Sequence, residues 1–198
     1  MSELGAPPVV RRLGTEPIHR AGAPAGPTLL DFWRWTGSDL LGNALRGTLA
    51  EFLVACDVGA ASGTRVAWDA YDLLTPPPER YRVEVKSAAY LQSWSQQKLS
   101  LISFDIAAKH GWDAATNVVA PERGRASDAY VFALLHHEDK ATVDPLDVAQ
   151  WTFYVLPTSV LDERLPAQKR ISLSTLLRLS PAAVRYGEIA PTLNRLLL

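Results

Sequence analysis

The stretch that decides the fold reads VAWDAYDLL over residues 66–74 and YRVEVK over residues 81–86, with a turn containing three prolines between them. β-Branched and aromatic residues favour strands, and successive side chains on a strand point to opposite faces. The pattern therefore predicts a β-hairpin in which Glu84 and Lys86 share one face. If the hairpin is centred on the last proline of the turn, Asp72 lies opposite Glu84 on the neighbouring strand.

Two carboxylates that face each other on adjacent strands normally destabilise a sheet. A divalent cation between them removes the repulsion, and a lysine beside them can act on a metal-bound water. Asp72, Glu84 and Lys86 are therefore the candidate catalytic group of a metal-dependent nuclease. Asp69 competes with Asp72 for this role, but in a regular strand it points to the other face; a β-bulge would reverse the choice.

Composition limits the classes of protein to consider. The chain has 198 residues and a formal net charge of −1, which fits one domain without a strongly basic surface for tight, non-specific DNA binding. The lone Cys56 cannot form an intrachain disulfide, which favours a reducing, cytoplasmic setting. We expect no membrane-spanning segment, and no signal peptide after Arg11 and Arg12.

The order of elements predicts the fold class. Residues 1–27 are rich in proline, glycine and alanine and are expected to form a flexible arm, followed by one nuclease-like domain over 28–198 with its core at about 38–156 and peripheral elements at 157–198. The expected elements are helices at 29–35, 39–55 and 88–97, the hairpin, an ambiguous apolar segment at 99–106, an exposed loop at 111–127, strands at 129–136, 151–156 and 170–173, and helices at 174–179 and 187–197. This order predicts an α/β (α+β) fold with a mixed central β-sheet flanked by helices.

Three motifs together resemble the PD-(D/E)xK nuclease superfamily and its restriction-endonuclease-like core. They are RGTLAE (46–51) in the first core helix, YDL (71–73) on the second strand and EVKS (84–87) on the third. The resemblance covers roughly residues 38–156. One departure is that Tyr71 stands where the family has its nominal proline.

The resemblance implies a Mg²⁺-dependent nuclease that hydrolyses DNA phosphodiester bonds, with Mn²⁺ as a substitute. Asp72, Glu84 and the main-chain carbonyl of Val85 would bind the metal, and Lys86 would orient or help deprotonate the attacking water. Glu51 would bind a second metal directly or through water. An endonuclease in restriction, repair or defence against foreign DNA would suit the size of the chain.

Several polar residues are candidates for substrate contacts. Gln92 lies on the helix expected after Lys86, where family members use a glutamine to position the site or the DNA. Arg82 shares the face of Glu84 and either meets a phosphate or pairs with an acid. Arg123 and Arg125 precede the strand at 129–136 and either contact phosphate or lie in a solvated loop.

Two other interpretations remain open from the sequence. One is an ordinary solvated hairpin with a Glu–Lys surface pair. The other is a catalytically inactive nuclease-fold module that binds DNA or a protein partner. The nearly neutral charge favours a partner that supplies DNA specificity. A homodimer, which would place two sites on the two DNA strands, stays open from the sequence. His136 and His137 are adjacent on a strand, so they point to opposite faces and cannot easily share one metal ion.

Overall fold

The computed structural model describes residues 9–65, 70–113 and 118–198. The helices are α1 (Leu29–Gly37), α2 (Asn43–Asp57), α3 (Thr158–Arg164), α4 (Leu173–Arg178) and α5 (Ile189–Leu197), with a 3₁₀ turn at Val148–Gln150. The strands are β1 (Pro17–Arg20), β2 (Ala23–Thr28), β3 (Leu73–Leu74), β4 (Arg82–Ala89), β5 (Ser103–Asp105), β6 (Lys109–Asp113), β7 (Val118–Gly124), β8 (Ala129–Leu135), β9 (Trp151–Pro157), β10 (Arg170–Ser172) and β11 (Ala182–Val184).

A mixed five-stranded sheet forms the centre of the molecule, in the order β11-β9-β8-β4-β3. Strands β4 and β8 run parallel, and the other neighbours are antiparallel. The predicted α/β fold with a mixed central sheet is confirmed. The middle strand, β8, is buried along its whole length, as expected for an apolar run covered on both faces. Among the described residues, no helix has the length and apolar character needed to cross a membrane.

The two faces of the sheet carry separate hydrophobic layers. Val83 and Val85 of β4 pack with α2 and α5 in the first layer. The opposite face packs against α3, α4 and the small β5/β10 sheet, and there Ala88 of β4 joins Phe104 and Phe132. Because side chains alternate along β4, Glu84 and Lys86 point toward this second layer.

The N-terminal segment differs from the prediction. In place of an unstructured arm it contains the β1–β2 hairpin, whose strands are exposed and show no apolar alternation that could have revealed them. The expected start of α1 is confirmed by a capping box: Thr28 N donates to Asp31 Oδ2 at 2.8 Å and Asp31 N donates to Thr28 Oγ1 at 3.4 Å. Helix α2 begins at Asn43 rather than Asp39, because the Asp39 side chain accepts from Gly42 N and closes a turn first.

Two further predictions were wrong. No helix covers 88–97, because the parallel pairing with β8 extends β4 as far as Ala89. The segment expected as a loop at 111–127 contributes to a second hairpin, β6–β7. Strands β8 and β9 and the two C-terminal helices match their predicted positions within about two residues, whereas α3 and β11 were not predicted.

Phe132→Ala should lower the free energy of unfolding by about 3–5 kcal/mol. The side chain is fully buried on β8, with its ring centroid 5.1 Å from that of Phe104 and 5.6 Å from that of Tyr130. Leu146→Ala is the control, because that side chain is exposed and its loss should cost less than about 0.5 kcal/mol. Urea denaturation measures both values, and equal midpoints for the two variants would contradict the assigned core.

Candidate active site

The register of β3 and β4 in the central sheet places two carboxylates opposite each other. Leu73 pairs with Val83, and Asp72 N donates to Val83 O at 3.2 Å, so Asp72 lies across from Glu84. The predicted register is confirmed. Lys86 Nζ forms an ion pair with Glu84 Oε1 and lies 3.8 Å from Asp72 Oδ2. The Val85 backbone N–H donates to Asp72 Oδ2 at 2.7 Å, which fixes the orientation of that carboxylate.

These three side chains are largely shielded from solvent. The exposed fractions are 11% for Glu84, 19% for Lys86 and 21% for Asp72. An ordinary surface Glu–Lys pair would be far more exposed, so the solvated-hairpin interpretation is wrong. Glu84 and Lys86 lie on the sheet face that carries the second hydrophobic layer.

Burial and charge shift the pKa values of both groups on β4. Burial raises the pKa of Glu84, and the nearby Asp72 carboxylate raises it further, against the opposing effects of Lys86 and Lys109. Burial alone would lower the pKa of Lys86. The carboxylates of Glu84 and Asp72, with a contribution from Asp105 on β5, outweigh this effect and the pKa of Lys86 is raised. Lys86 therefore remains an ammonium ion at neutral pH.

Two further cations lie near the carboxylates, Arg65 near Asp72 and Lys109 near Glu84. Arg65 forms a two-pronged pair with Glu51, including a 3.0 Å hydrogen bond from Nη2 to Oε1. This hydrogen bonding raises the pKa of Arg65, and the Asp72 carboxylate raises it further. Lys109 Nζ lies 3.8 Å from Glu84 Oε1. Sequence reasoning missed Arg65 and Lys109, because both lie in segments without a hydrophobic period.

The structure does not bring Glu51 together with the two opposed carboxylates. Helix α2 packs on the sheet face that carries Val83, whereas Glu84 points to the opposite face. Glu51 pairs with Arg65, whose pKa the Asp72 carboxylate also raises. Across the ranges 9–65, 70–113 and 118–198, no group of three or more His, Cys, Asp or Glu residues is arranged to hold a metal ion. Asp69 lies outside the described residues.

The donor set of Asp72 and Glu84 nevertheless fits a single Mg²⁺ ion. Mg²⁺ is usually held by one or two protein carboxylates, with water and phosphate oxygens completing an octahedron. The two carboxylates are close enough for the charge of Asp72 to raise the pKa of Glu84, and a divalent cation would relieve this repulsion. The pair can therefore bind a hard cation beside the ammonium group of Lys86.

Gln92 lies in an irregular segment after β4 and is buried. Its Oε1 accepts a 3.2 Å hydrogen bond from Arg46 Nη1, and its Nε2 donates to Ala89 O at 3.0 Å. Arg46 also donates from Nε to Ser87 Oγ at 3.3 Å. Gln92 is therefore linked to the end of β4 by an internal network, and its side chain does not face solvent.

The arginines singled out from the sequence have different surroundings. Arg82 pairs with Asp128, at 2.5 Å between Nη2 and Oδ1, so the acid-pairing alternative holds. Arg125 is buried, pairs with Asp162 and donates from Nε to Ile106 O at 2.8 Å, which makes it a structural residue. Arg123 lies exposed on β7.

The two adjacent histidines have separate partners. His136 Nδ1 lies 3.0 Å from Thr152 Oγ1, and His137 Nε2 lies 2.8 Å from Thr142 Oγ1. Their hydrogen bonds therefore involve different side chains.

A groove of about 920 Å³ opens beside Asp72. It lies between α1, α2, the segment at 60–65 and the residues that lead into β3. Its lining is mostly apolar, and Asp72, Glu51 and Arg65 form a charged edge where it meets the opposed carboxylates. The volume is in the range of ligand-binding clefts, so the candidate site adjoins a space that can receive a substrate.

A comparison of the chain with protein-family models and with curated proteins finds no match. The resemblance to the PD-(D/E)xK superfamily therefore rests on the motif residues themselves. Of these, Asp72, Glu84 and Lys86 are brought together by the structure, and Glu51 pairs with Arg65.

Asp72→Asn should lower the pKa of Glu84, because it removes the negative charge that raises it. Lys86→Met should raise the pKa of Glu84, because it removes the favourable ammonium group. ¹³C NMR titration of the glutamate side-chain carboxyl carbons measures both shifts.

Glu163→Gln serves as the control for these titrations, since that side chain is exposed and makes its ion pair with Arg164 on α3. It should leave the pKa of Glu84 unchanged. An identical Glu84 titration in Asp72→Asn and in the unaltered protein would show that the two carboxylates do not interact.

Proposed function

We propose that the protein is a Mg²⁺-dependent nuclease that hydrolyses DNA phosphodiester bonds, with Asp72, Glu84 and Lys86 at its centre. One observation carries the proposal. Two carboxylates oppose each other across adjacent strands, shielded from solvent, with one lysine ion-paired to Glu84 and 3.8 Å from Asp72. Two acids that face each other on neighbouring strands destabilise a sheet, and a metal ion bound between them would remove that repulsion.

Each residue has a distinct role in this proposal. Asp72 and Glu84 would hold the metal, which lowers the pKa of a bound water and stabilises charge on the phosphate. Lys86, which is ion-paired with Glu84 and lies 3.8 Å from Asp72, would orient or help deprotonate the attacking water and balance the negative charge on the phosphate. The resemblance adds the Val85 carbonyl as a further ligand.

We propose one metal ion rather than two. A second ion at Glu51 would require the carboxylate to leave its two hydrogen bonds with Arg65. We therefore assign Glu51 to the positioning of Arg65 beside Asp72. Gln92 is assigned to holding the end of β4 through Arg46, and Arg82 to its pair with Asp128.

A non-catalytic module that binds DNA or a protein partner is the second candidate. The observation that favours it is the balance of charge in the site itself. Lys86 and Lys109 both lie against Glu84, so the fold can hold the two carboxylates without an ion. The net charge of −1 also suits a module whose partner, or second copy, supplies the DNA contacts.

The unaltered protein should cleave DNA in Mg²⁺ or Mn²⁺, assayed on supercoiled, linear and single-stranded substrates. Glu84→Ala should lose both metal binding and cleavage, because it removes a ligand. Lys86→Ala should keep metal binding but lose cleavage by about a hundredfold or more, because it removes the group that acts on the water. Calorimetry measures metal binding, and exposed Glu163 replaced by Ala is the control that should retain both activities.

The outcomes separate the two candidate functions. Cleavage retained by Lys86→Ala would remove that lysine from the mechanism. Absence of both cleavage and metal binding in the unaltered protein would favour the non-catalytic module. Metal binding without cleavage would indicate a missing partner or a different substrate. Circular dichroism of each variant shows that a loss does not arise from unfolding.

A further inference from the structure

We propose that the groove beside Asp72 binds an unpaired nucleotide of DNA, with the indole ring of Trp33 as a stacking platform. This inference rests on the proposed nuclease function and names its substrate class: single-stranded or locally unpaired DNA.

The groove and the candidate catalytic group share a residue. Asp72 lines the groove and also lies 3.8 Å from Lys86 Nζ, so a strand with its phosphate at the carboxylates would extend into the groove. Away from this edge the lining is apolar, with Leu45, Leu49 and Phe52 of α2 among its residues. The bases of a duplex are stacked inside the double helix, whereas an unpaired base can enter an apolar cleft.

Trp33 is held firmly on one side. Its ring packs on Gly14, where an added Cβ would lie only 2.9 Å from Trp33 Cζ3. Gly14 has a φ of +90°, which favours glycine, and its carbonyl accepts from Leu30 N at 2.8 Å at the start of α1. Its N–H donates to Glu16 Oε2 at 2.8 Å. The backbone that supports the ring is thus fixed from both sides.

The other side of Trp33 is available to a ligand. Trp33 is 40% exposed and lines the groove, and α1 contributes no buried residue to the protein. The Trp33 ring is therefore not part of the hydrophobic core of the protein. A partly exposed ring with a fixed position suits base stacking, which is tolerant of sequence because every base has a π-face.

Charge also favours stacking over duplex binding. With a net charge of −1 the chain has no excess of cations to neutralise the many phosphates of a duplex. Two arginines line the groove: Arg65, and Arg11, whose Nη1 donates to the carbonyls of Ala61 and Ser62. A single strand can bind through stacked bases with only a few such phosphate contacts.

Fluorescence anisotropy in metal-free buffer tests the inference without cleavage. The probes are a labelled single strand of about 12 nucleotides and the duplex of the same sequence. The single strand should bind more tightly than the duplex. Trp33→Leu, which keeps an apolar side chain, should weaken single-strand binding by about 5- to 150-fold, whereas Trp33→Phe should retain most of it. Trp35→Leu is the matched control on α1, because Trp35 is 84% exposed and does not line the groove.

The outcomes are distinguishable from failure of the nuclease proposal. Trp33-dependent single-strand binding by a protein that neither binds metal nor cleaves DNA would support base stacking in the groove and overturn the nuclease proposal. Cleavage of duplex DNA, with no effect of Trp33→Leu on single-strand affinity, would overturn the proposed binding of an unpaired base in the groove and leave the nuclease proposal standing. Equal losses in Trp33→Leu and Trp33→Phe would also overturn stacking, as would sedimentation showing that Trp33→Leu separates a dimer seated on this surface.

Discussion

The opposition of Asp72 and Glu84 across β3 and β4 is the constraint on which the rest of the site depends. Antiparallel pairing fixes the two residues opposite each other, and burial makes their repulsion stronger than it would be in water. Lys86 offsets this repulsion, since its ammonium group forms an ion pair with Glu84 and lies 3.8 Å from Asp72 Oδ2. Its raised pKa is the consequence, and Lys86 stays an ammonium ion beside the two carboxylates at neutral pH.

Strand β4 gives this arrangement its rigidity. Val83 and Val85 are packed into the layer beneath α2 and α5, so the intervening Glu84 is held in place by its neighbours on both sides. Parallel pairing with the fully buried β8 holds the same strand along its length. A site built on a central strand is more precise than one on a loop, which suits a role in orienting metal, water and phosphate.

The alternation of side chains also separates the polar residues into two sets. Glu84 and Lys86 lie on one face of the sheet, and α2 carries Glu51 on the other. The edge beside β3 is where the sets approach, and there Arg65 interacts with both Glu51 and Asp72. The groove begins at this edge. In our proposal, Asp72 therefore belongs both to the catalytic group and to the groove that binds the substrate.

The sequence predicted most of what depends on local pattern. The register at Asp72, the strand β8 and the start of α1 at Leu29 agree with the predicted hairpin, the predicted strand at 129–136 and the predicted helix at 29–35. Features set by tertiary pairing were missed. Strand β4 continues past Ser87 because β8 is its partner, and the β6–β7 hairpin that carries Lys109 is exposed and has no apolar period. The placements of Gln92 and Arg65 likewise depend on partners far away in the chain.

The most direct test of the metal site is a crystal structure of the protein soaked in Mn²⁺, with anomalous scattering used to locate the ion. We predict a single peak at about 2.1 Å from one oxygen of Asp72 and one of Glu84. Lys86 should remain adjacent, without its direct contact to the liganding oxygens. A peak at Asp69 instead of Asp72 would assign the metal to the competing aspartate. No bound ion at the Asp72–Glu84 pair, with Lys86 still contacting both carboxylates, would contradict the central claim.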